Sequence, residues 1–97
     1  MMNTFIISYD LREEDQSYDA LYKAIRELGD ARRCLKSLWI ITANLSLKQV
    51  VDKLALVIDK NDGLFVIQIP NNAIADWIGL DSDSSNWLEQ NISHLLH

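Results

Sequence analysis

Three glycines in 97 residues leave this chain without a glycine-rich phosphate-cradling loop at any familiar spacing. Its one cysteine, Cys34, has no partner within the chain, which excludes an internal disulfide. No apolar run approaches the ~18 residues that a membrane span requires, and the longest runs have the length of strands. The first residues lack a basic region followed by a long apolar segment, so no secretory leader is read there. Together these absences point to a reducing, cytoplasmic setting without a membrane partner. The two histidines, His94 and His97, have no metal-ligand spacing to Cys34 and read as surface residues.

Charge is unevenly placed. The chain carries −5 overall, which argues against a dedicated nucleic-acid binder, whose field is normally positive. Residues 1–30 carry a net −4, residues 31–60 a net +4, and residues 61–97 a net −5 with no Lys or Arg at all. A basic middle between acidic ends leaves room for one positive face on an acidic molecule.

The apolar pattern is that of a mixed chain. Asn3 to Tyr9 alternates as a strand, with Phe5, Ile7 and Tyr9 on one parity. A polar loop from Asp10 to Gln16 follows, and Ser17 is placed to cap a helix carrying Tyr18, Leu21, Tyr22, Ile25 and Leu28, which Gly29 stops. Arg32 to Asn44 is too long for one ordinary strand, so a tight reversal is expected near Lys36-Ser37. Ser46 and Gln49 have the form of a capping box, ahead of a stripe of Leu47, Val50, Val51, Leu54, Val57 and Ile58. Asn61-Asp62-Gly63 is turn chemistry, and Leu64 to Ile69 is a strand closed by Pro70. Beyond it, Ile74, Trp77 and Ile78 suggest a short helix ended by Gly79, residues 81–85 a polar linker, and Trp87, Leu88, Ile92, Leu95 and Leu96 a final amphipathic helix.

The expected fold class is therefore α/β (α+β): a ferredoxin-like βαββαβ core over residues 1–70, an antiparallel sheet with two helices on one face. Residues 71–97 form a C-terminal helical extension of the same domain. The strands do not alternate cleanly, since Phe5-Ile6-Ile7, Leu38-Trp39-Ile40-Ile41 and Leu64-Phe65-Val66-Ile67 are apolar on both parities. Two helices on one face cannot cover both sides of such a sheet. Either the C-terminal helix folds back or a second copy covers the rest, and a C2 homodimer burying ~800 Å² per protomer is the expected solution.

Asp10 directly follows an apolar strand, so its backbone is held while its carboxylate reaches solvent. Mg²⁺ takes one or two hard carboxylates plus water, which a two-fold pair of aspartates could supply; the plainer alternative is an aspartate that starts a loop. Glu13, Glu14 and Asp15 are helpers or a solvated acidic loop. Arg32, Arg33 and Lys36 are candidate nucleic-acid-binding residues through phosphate contacts, or else guards on an edge strand. Ser37 has neither a nearby histidine nor a strained elbow and reads as a turn residue. Trp39, Trp77 and Trp87 could stack on bases, but they sit in apolar stripes that favour packing.

Several of these pieces together resemble a known family. Tyr9-Asp10-Leu11 resembles the Tyr-Asp-aliphatic signature of the small CRISPR-associated nuclease-fold protein of the spacer-acquisition pair. Ser37-Leu38-Trp39 is similar to that family's Ser-Val-Phe motif, and Asp62 has a counterpart there. Virulence-associated protein D shares the fold and the first-strand aspartate. Ser8-Tyr9-Asp10-Leu11, Cys34 to Trp39, Asn61-Asp62-Gly63-Leu64 and Trp87-Leu88 also resemble a group of short bacterial proteins that carry the SinR family name. No helix-turn-helix pattern accompanies that name.

The CRISPR-associated resemblance implies a ferredoxin-like homodimer with its first-strand aspartates near the two-fold axis. In some members they hold Mg²⁺ for endonuclease or phosphodiesterase cleavage of RNA or DNA, and in others the dimer is a non-catalytic scaffold. Only Asp10 carries over, as catalytic and metal-binding residue. The C-terminal helix, the tryptophans and the negative charge depart from that family. They weaken the inference to DNA integration, and the acidic surface points to the alternative, a non-catalytic homodimeric adaptor whose C-terminal helix or basic strand docks an unknown protein partner.

Overall fold

The computed structural model describes residues 2–10 and 18–94. Ser17, Glu13, Glu14, Asp15, Leu95, Leu96 and His97, all named above, lie outside the described residues. In chain order the elements are β1 (Asn3–Asp10), α1 (Asp19–Leu28), β2 (Asp30–Leu35), β3 (Leu38–Ala43), α2 (Leu47–Ala55), β4 (Gly63–Ile69), β5 (Ile74–Ala75), α3 (Ser82–Asn91) and β6 (Ser93–His94). The molecule is thus a mixed α+β fold with three helices among the described residues.

β1 pairs antiparallel with both β3 and β4, and β3 pairs antiparallel with β2, giving the neighbour order β2-β3-β1-β4. In that register Ile7 lies between Trp39 and Val66, and Ile6 between Ile40 and Ile67. The odd positions of β1 (Phe5, Ile7 and Tyr9) meet Trp39, Ile41 and Ala43 in one buried cluster with Leu21 and Ile25 of α1 and Val50 and Leu54 of α2. Each large apolar side chain sealed there contributes about 1.5–3 kcal/mol relative to exposure. Both helices therefore lie on the face that carries the odd β1 residues.

Local chemistry explains the joints. The β2–β3 reversal falls at Lys36-Ser37, because the thirteen-residue extended run can bury both of its halves only by doubling back. At the start of α2 the Ser46 hydroxyl accepts from the Gln49 N–H at 3.2 Å while the Gln49 amide oxygen accepts from the Ser46 N–H at 2.9 Å. The helix ends at Ala55, so Val57 and Ile58 pack on the core from the segment that follows it. Gly29 stops α1 for a reason other than a left-handed turn. Its φ of 169° is extended, but a Cβ there would lie 2.2 Å from the Thr42 carbonyl oxygen of β3. The glycine lets the chain enter β2 against its neighbour.

Two expectations for the C-terminal region are corrected. Residues 71–79 form no helix; Ile74-Ala75 instead pairs in parallel with Ser93-His94. The Ile74–Trp77–Ile78 spacing imitates a helical face, but the Asp76 carboxylate accepts from the Trp77 N–H at 2.9 Å, a local bond that competes with helix formation, and Gly79 turns at φ 79°. The expected polar linker is the first turn of α3. Asp81 caps it by accepting from the Ser84 N–H at 2.7 Å, and Ile92 is extended past its end.

α3 folds back over the second face of the sheet beside β2. Leu88 and Ser84 are buried there, and the even-parity Arg32 donates to the Ser84 hydroxyl at 2.9 Å and pairs with Asp81 at 3.2 Å. The Trp87 indole N–H donates to Asp30 at 3.0 Å, and that of Trp77 to Ser85 at 2.9 Å. The tryptophans therefore act in packing and in fastening the C-terminal region. Ile40 is sealed, whereas Phe65 and Ile67 of β4 remain 62% and 43% exposed on the same face.

Replacing Gly29 by Ala forces a methyl group into the β3 backbone and should destabilise the chain by about 1–3 kcal/mol in urea unfolding. A midpoint equal to wild type would refute the close-approach explanation.

Candidate functional site

Asp10 is the last residue of β1, opposite Gly63 in the β4 register. The residue before it is unusually well anchored. Tyr9 is buried, its hydroxyl accepts from the Trp39 indole N–H at 3.2 Å and donates to the Lys36 carbonyl at 3.2 Å, and its ring lies 5.9 Å from Tyr18 and 6.1 Å from Tyr22. Burial, reinforced by the Tyr22 hydroxyl, pushes the Tyr9 phenol well above its ordinary range, so it stays neutral and structural. Because strand side chains alternate, this anchoring directs Asp10 to the opposite face, the one carrying Ile6, Ser8, Phe65 and Ile67. There it borders a shallow opening of about 300 Å³ shared with Ser8, Gly63 and Phe65.

A second carboxylate, Asp62, stands next to Gly63. Its Oδ2 accepts from the Asp59 N–H at 2.8 Å, which commits it to closing the turn before β4. Among the described residues no group of three or more His, Cys, Asp or Glu side chains is arranged to hold a metal ion. Among the described residues, Asp10 is the carboxylate at the end of β1 that could serve as a hard ligand. Two Asp10 carboxylates brought together would match the one or two that Mg²⁺ takes.

The three basic residues singled out above do not share a face. Arg32 lies on the second face, engaged with Ser84 and Asp81. Arg33 lies on the helix-bearing face, its Cζ 5.0 Å from the centroid of Tyr22 and its Nη1 donating to the Tyr22 hydroxyl at 2.7 Å. Lys36 sits in the β2–β3 turn, at the end of the sheet where β1 finishes. Arg26 of α1 joins Arg33, with its Cζ 5.2 Å from the centroid of Trp39. Sequence reasoning missed Arg26 and Tyr22. Their i, i+4 spacing put them on one helix face, but nothing linked that face to Arg33 until the β2–β3 register placed Arg33 opposite Trp39.

Cys34 is half-buried beside Leu38, Trp77 and Leu88, and burial pushes its thiol up, away from the reactive thiolate. No described helix is long and apolar enough to cross a membrane. No family model matches the chain.

The Asp81 carboxyl is held below the usual carboxylate range, first by hydrogen bonds from Ser84 and then by the Arg32 guanidinium. A lowered folded value means that the unfolded chain takes up the proton first. The contribution is thus complete at neutral pH and is lost as pH falls through the folded value. Thermal melts of wild type and Asp81→Ala should differ at pH 7, and the gap should narrow as the pH falls below the ordinary carboxylate range. A gap unchanged by that fall in pH would contradict this.

Proposed function

We propose that the chain has a ferredoxin-like βαββαβ core and works as a homodimer, resembling the CRISPR-associated nuclease-fold proteins. Asp10 of each protomer would serve metal-dependent cleavage of RNA or DNA as an endonuclease or phosphodiesterase. The central placement of β1 and β3, with both connecting helices on one face, supports the fold. The observation that carries the function is the shared face: Asp10 lies at the end of the row holding Ile6, Phe65 and Ile67, whose last two members are bare. A second copy covering that row, with its two-fold axis passing beside the Asp10 end, would bring the two Asp10 carboxylates into one neighbourhood.

Mg²⁺ held by such a pair would supply charge stabilisation at a phosphoryl oxygen and a more acidic bound water. The residues of the chain do the positioning. Tyr9, fastened to Trp39 and Lys36, fixes the backbone that presents Asp10. Lys36 places a cation at the same end of the sheet, where it would favour an approaching phosphate.

A second function, a non-catalytic dimeric scaffold, is favoured by a specific observation. Asp62, the described carboxylate nearest in register to Asp10, is engaged in its own turn, so it adds no ready second acid beside Asp10. The expectation that α3 docks a partner is narrowed, because the buried side of α3 is occupied by its own sheet through Leu88, Ser84 and Arg32.

Incubation of labelled single-stranded RNA and DNA with Mg²⁺ or Mn²⁺ separates the two. The nuclease reading expects cleavage by wild type and a loss of at least about a hundredfold in Asp10→Ala, as is usual when a group acting in the reaction is removed. Equal cleavage by both, or none by wild type, removes Asp10 from catalysis and leaves the scaffold.

A further inference from the structure

Between α1 and the β2 edge, Tyr22, Arg26, Arg33 and Trp39 line an open cleft of about 390 Å³, with Ala31, Arg32 and Asp81 at its margin. The Tyr22 and Trp39 rings lie 5.4 Å apart, and each carries a guanidinium, Arg33 on the first and Arg26 on the second. No carboxylate of the described residues lies within ion-pair distance of either arginine; the paired arginine is Arg32, which meets Asp81. In a chain of net charge −5, two cations lining one cleft, with Asp81 already paired to Arg32, are a local excess that the sequence total conceals.

Each guanidinium rests against a ring, which restricts its motion and lowers the entropy lost when it engages a ligand. Arg33 spends one N–H on the Tyr22 hydroxyl, and the other donors of the two forks remain to face an anion. A carboxylate satisfies one fork, whereas a phosphate presents enough oxygens and charge for two. The cleft lies within the size range of small-ligand sites, roughly 300–1,000 Å³, and so exceeds the needs of a bare phosphate. One face of each ring is already covered by an arginine, so recognition there is by charge rather than by base identity.

We propose that this cleft binds the phosphate of a nucleotide, free or within a single-stranded nucleic acid, through Arg26 and Arg33. The site is on the opposite face of the sheet from Asp10 and acts without a metal, so its test is separate from that of cleavage.

The full chain in EDTA is titrated into a fluorescein-labelled single-stranded oligonucleotide, followed by anisotropy, and in a parallel arm with adenosine monophosphate, followed by calorimetry. Arg26→Gln/Arg33→Gln should weaken binding by about tenfold or more at low salt, and lower the salt slope for the oligonucleotide by about 0.7, the share of the one phosphate that both forks hold. Arg26→Lys/Arg33→Lys, which keeps charge but loses the fork, should fall between that variant and wild type. Lys60→Gln, in the turn before β4, should stay within about twofold of wild type. Binding in both arms assigns the site to a nucleotide phosphate in general, and binding of the oligonucleotide alone assigns it to the phosphodiester backbone. If the double glutamine variant loses its far-UV circular dichroism, the single Arg26→Gln and Arg33→Gln variants decide, each expected to lose about threefold. Wild-type binding to neither ligand below about 1 mM, or folded glutamine variants that bind like wild type, overturns the proposal.

Discussion

The strict alternation of side chains along β1 is the constraint from which the rest follows. Phe5, Ile7 and Tyr9 point into the cluster closed by α1 and α2, so Ile6, Ser8 and Asp10 must point the other way. Hydrogen bonding to β3 on one side and β4 on the other pins this register twice, and a slip of one residue would drive Ser8 and Asp10 into the core. The Tyr9 hydroxyl, shared between the Trp39 indole and the Lys36 carbonyl, locks the end of the strand at which the slip would be cheapest. The position of Asp10 is thus a consequence of core packing rather than of loop conformation.

The second face then divides into two halves with different solutions. Beside β2 and β3, the chain covers itself. Asp81 caps α3 while pairing with Arg32, Ser84 is buried against the same guanidinium, and Leu88 and Ile40 are buried on the same side of the sheet. The β2 edge is further protected by its charges and by the register shift between Arg33 and Leu35. Beside β1 and β4 the described chain reaches only the far end, where Asn91 and Ile92 border Thr4 and Ile69, and it leaves Phe65 and Ile67 exposed. β4 is an edge strand of seven residues, Gly63–Ile69, that bears no charge. A sheet edge of that kind, with Phe65 and Ile67 exposed on its face, needs a cover.

Much of the fold could be read from residue spacing, and the failures have physical causes. The reversal at Lys36-Ser37 was legible because strand length is bounded, and the start of α2 because Ser46 and Gln49 satisfy each other. The first turn of α3 was not, because its buried residue is Ser84, which satisfies its hydroxyl with Arg32 and leaves no apolar mark. The false helix at 71–79 arose because Ile74, Trp77 and Ile78 have helical spacing while Asp76 bonds the next amide. Asp10 was legible as the end of an apolar strand. The separation of Arg32 from Arg33 was not, since adjacent strand residues diverge and only the register tells which faces α1. Arg26 joins Arg33 through the packing of α1 on β2, a contact between elements that no local pattern records.

The account rests on the uncovered half of the sheet being an interface with a second copy, since only a pair brings two Asp10 carboxylates together. Light scattering at micromolar concentration tests it most directly, comparing wild type with Phe65→Lys/Ile67→Lys. The account predicts about twice the 11.1 kDa chain mass for wild type and the single-chain mass for the variant. A wild type that scatters as a single chain would contradict it.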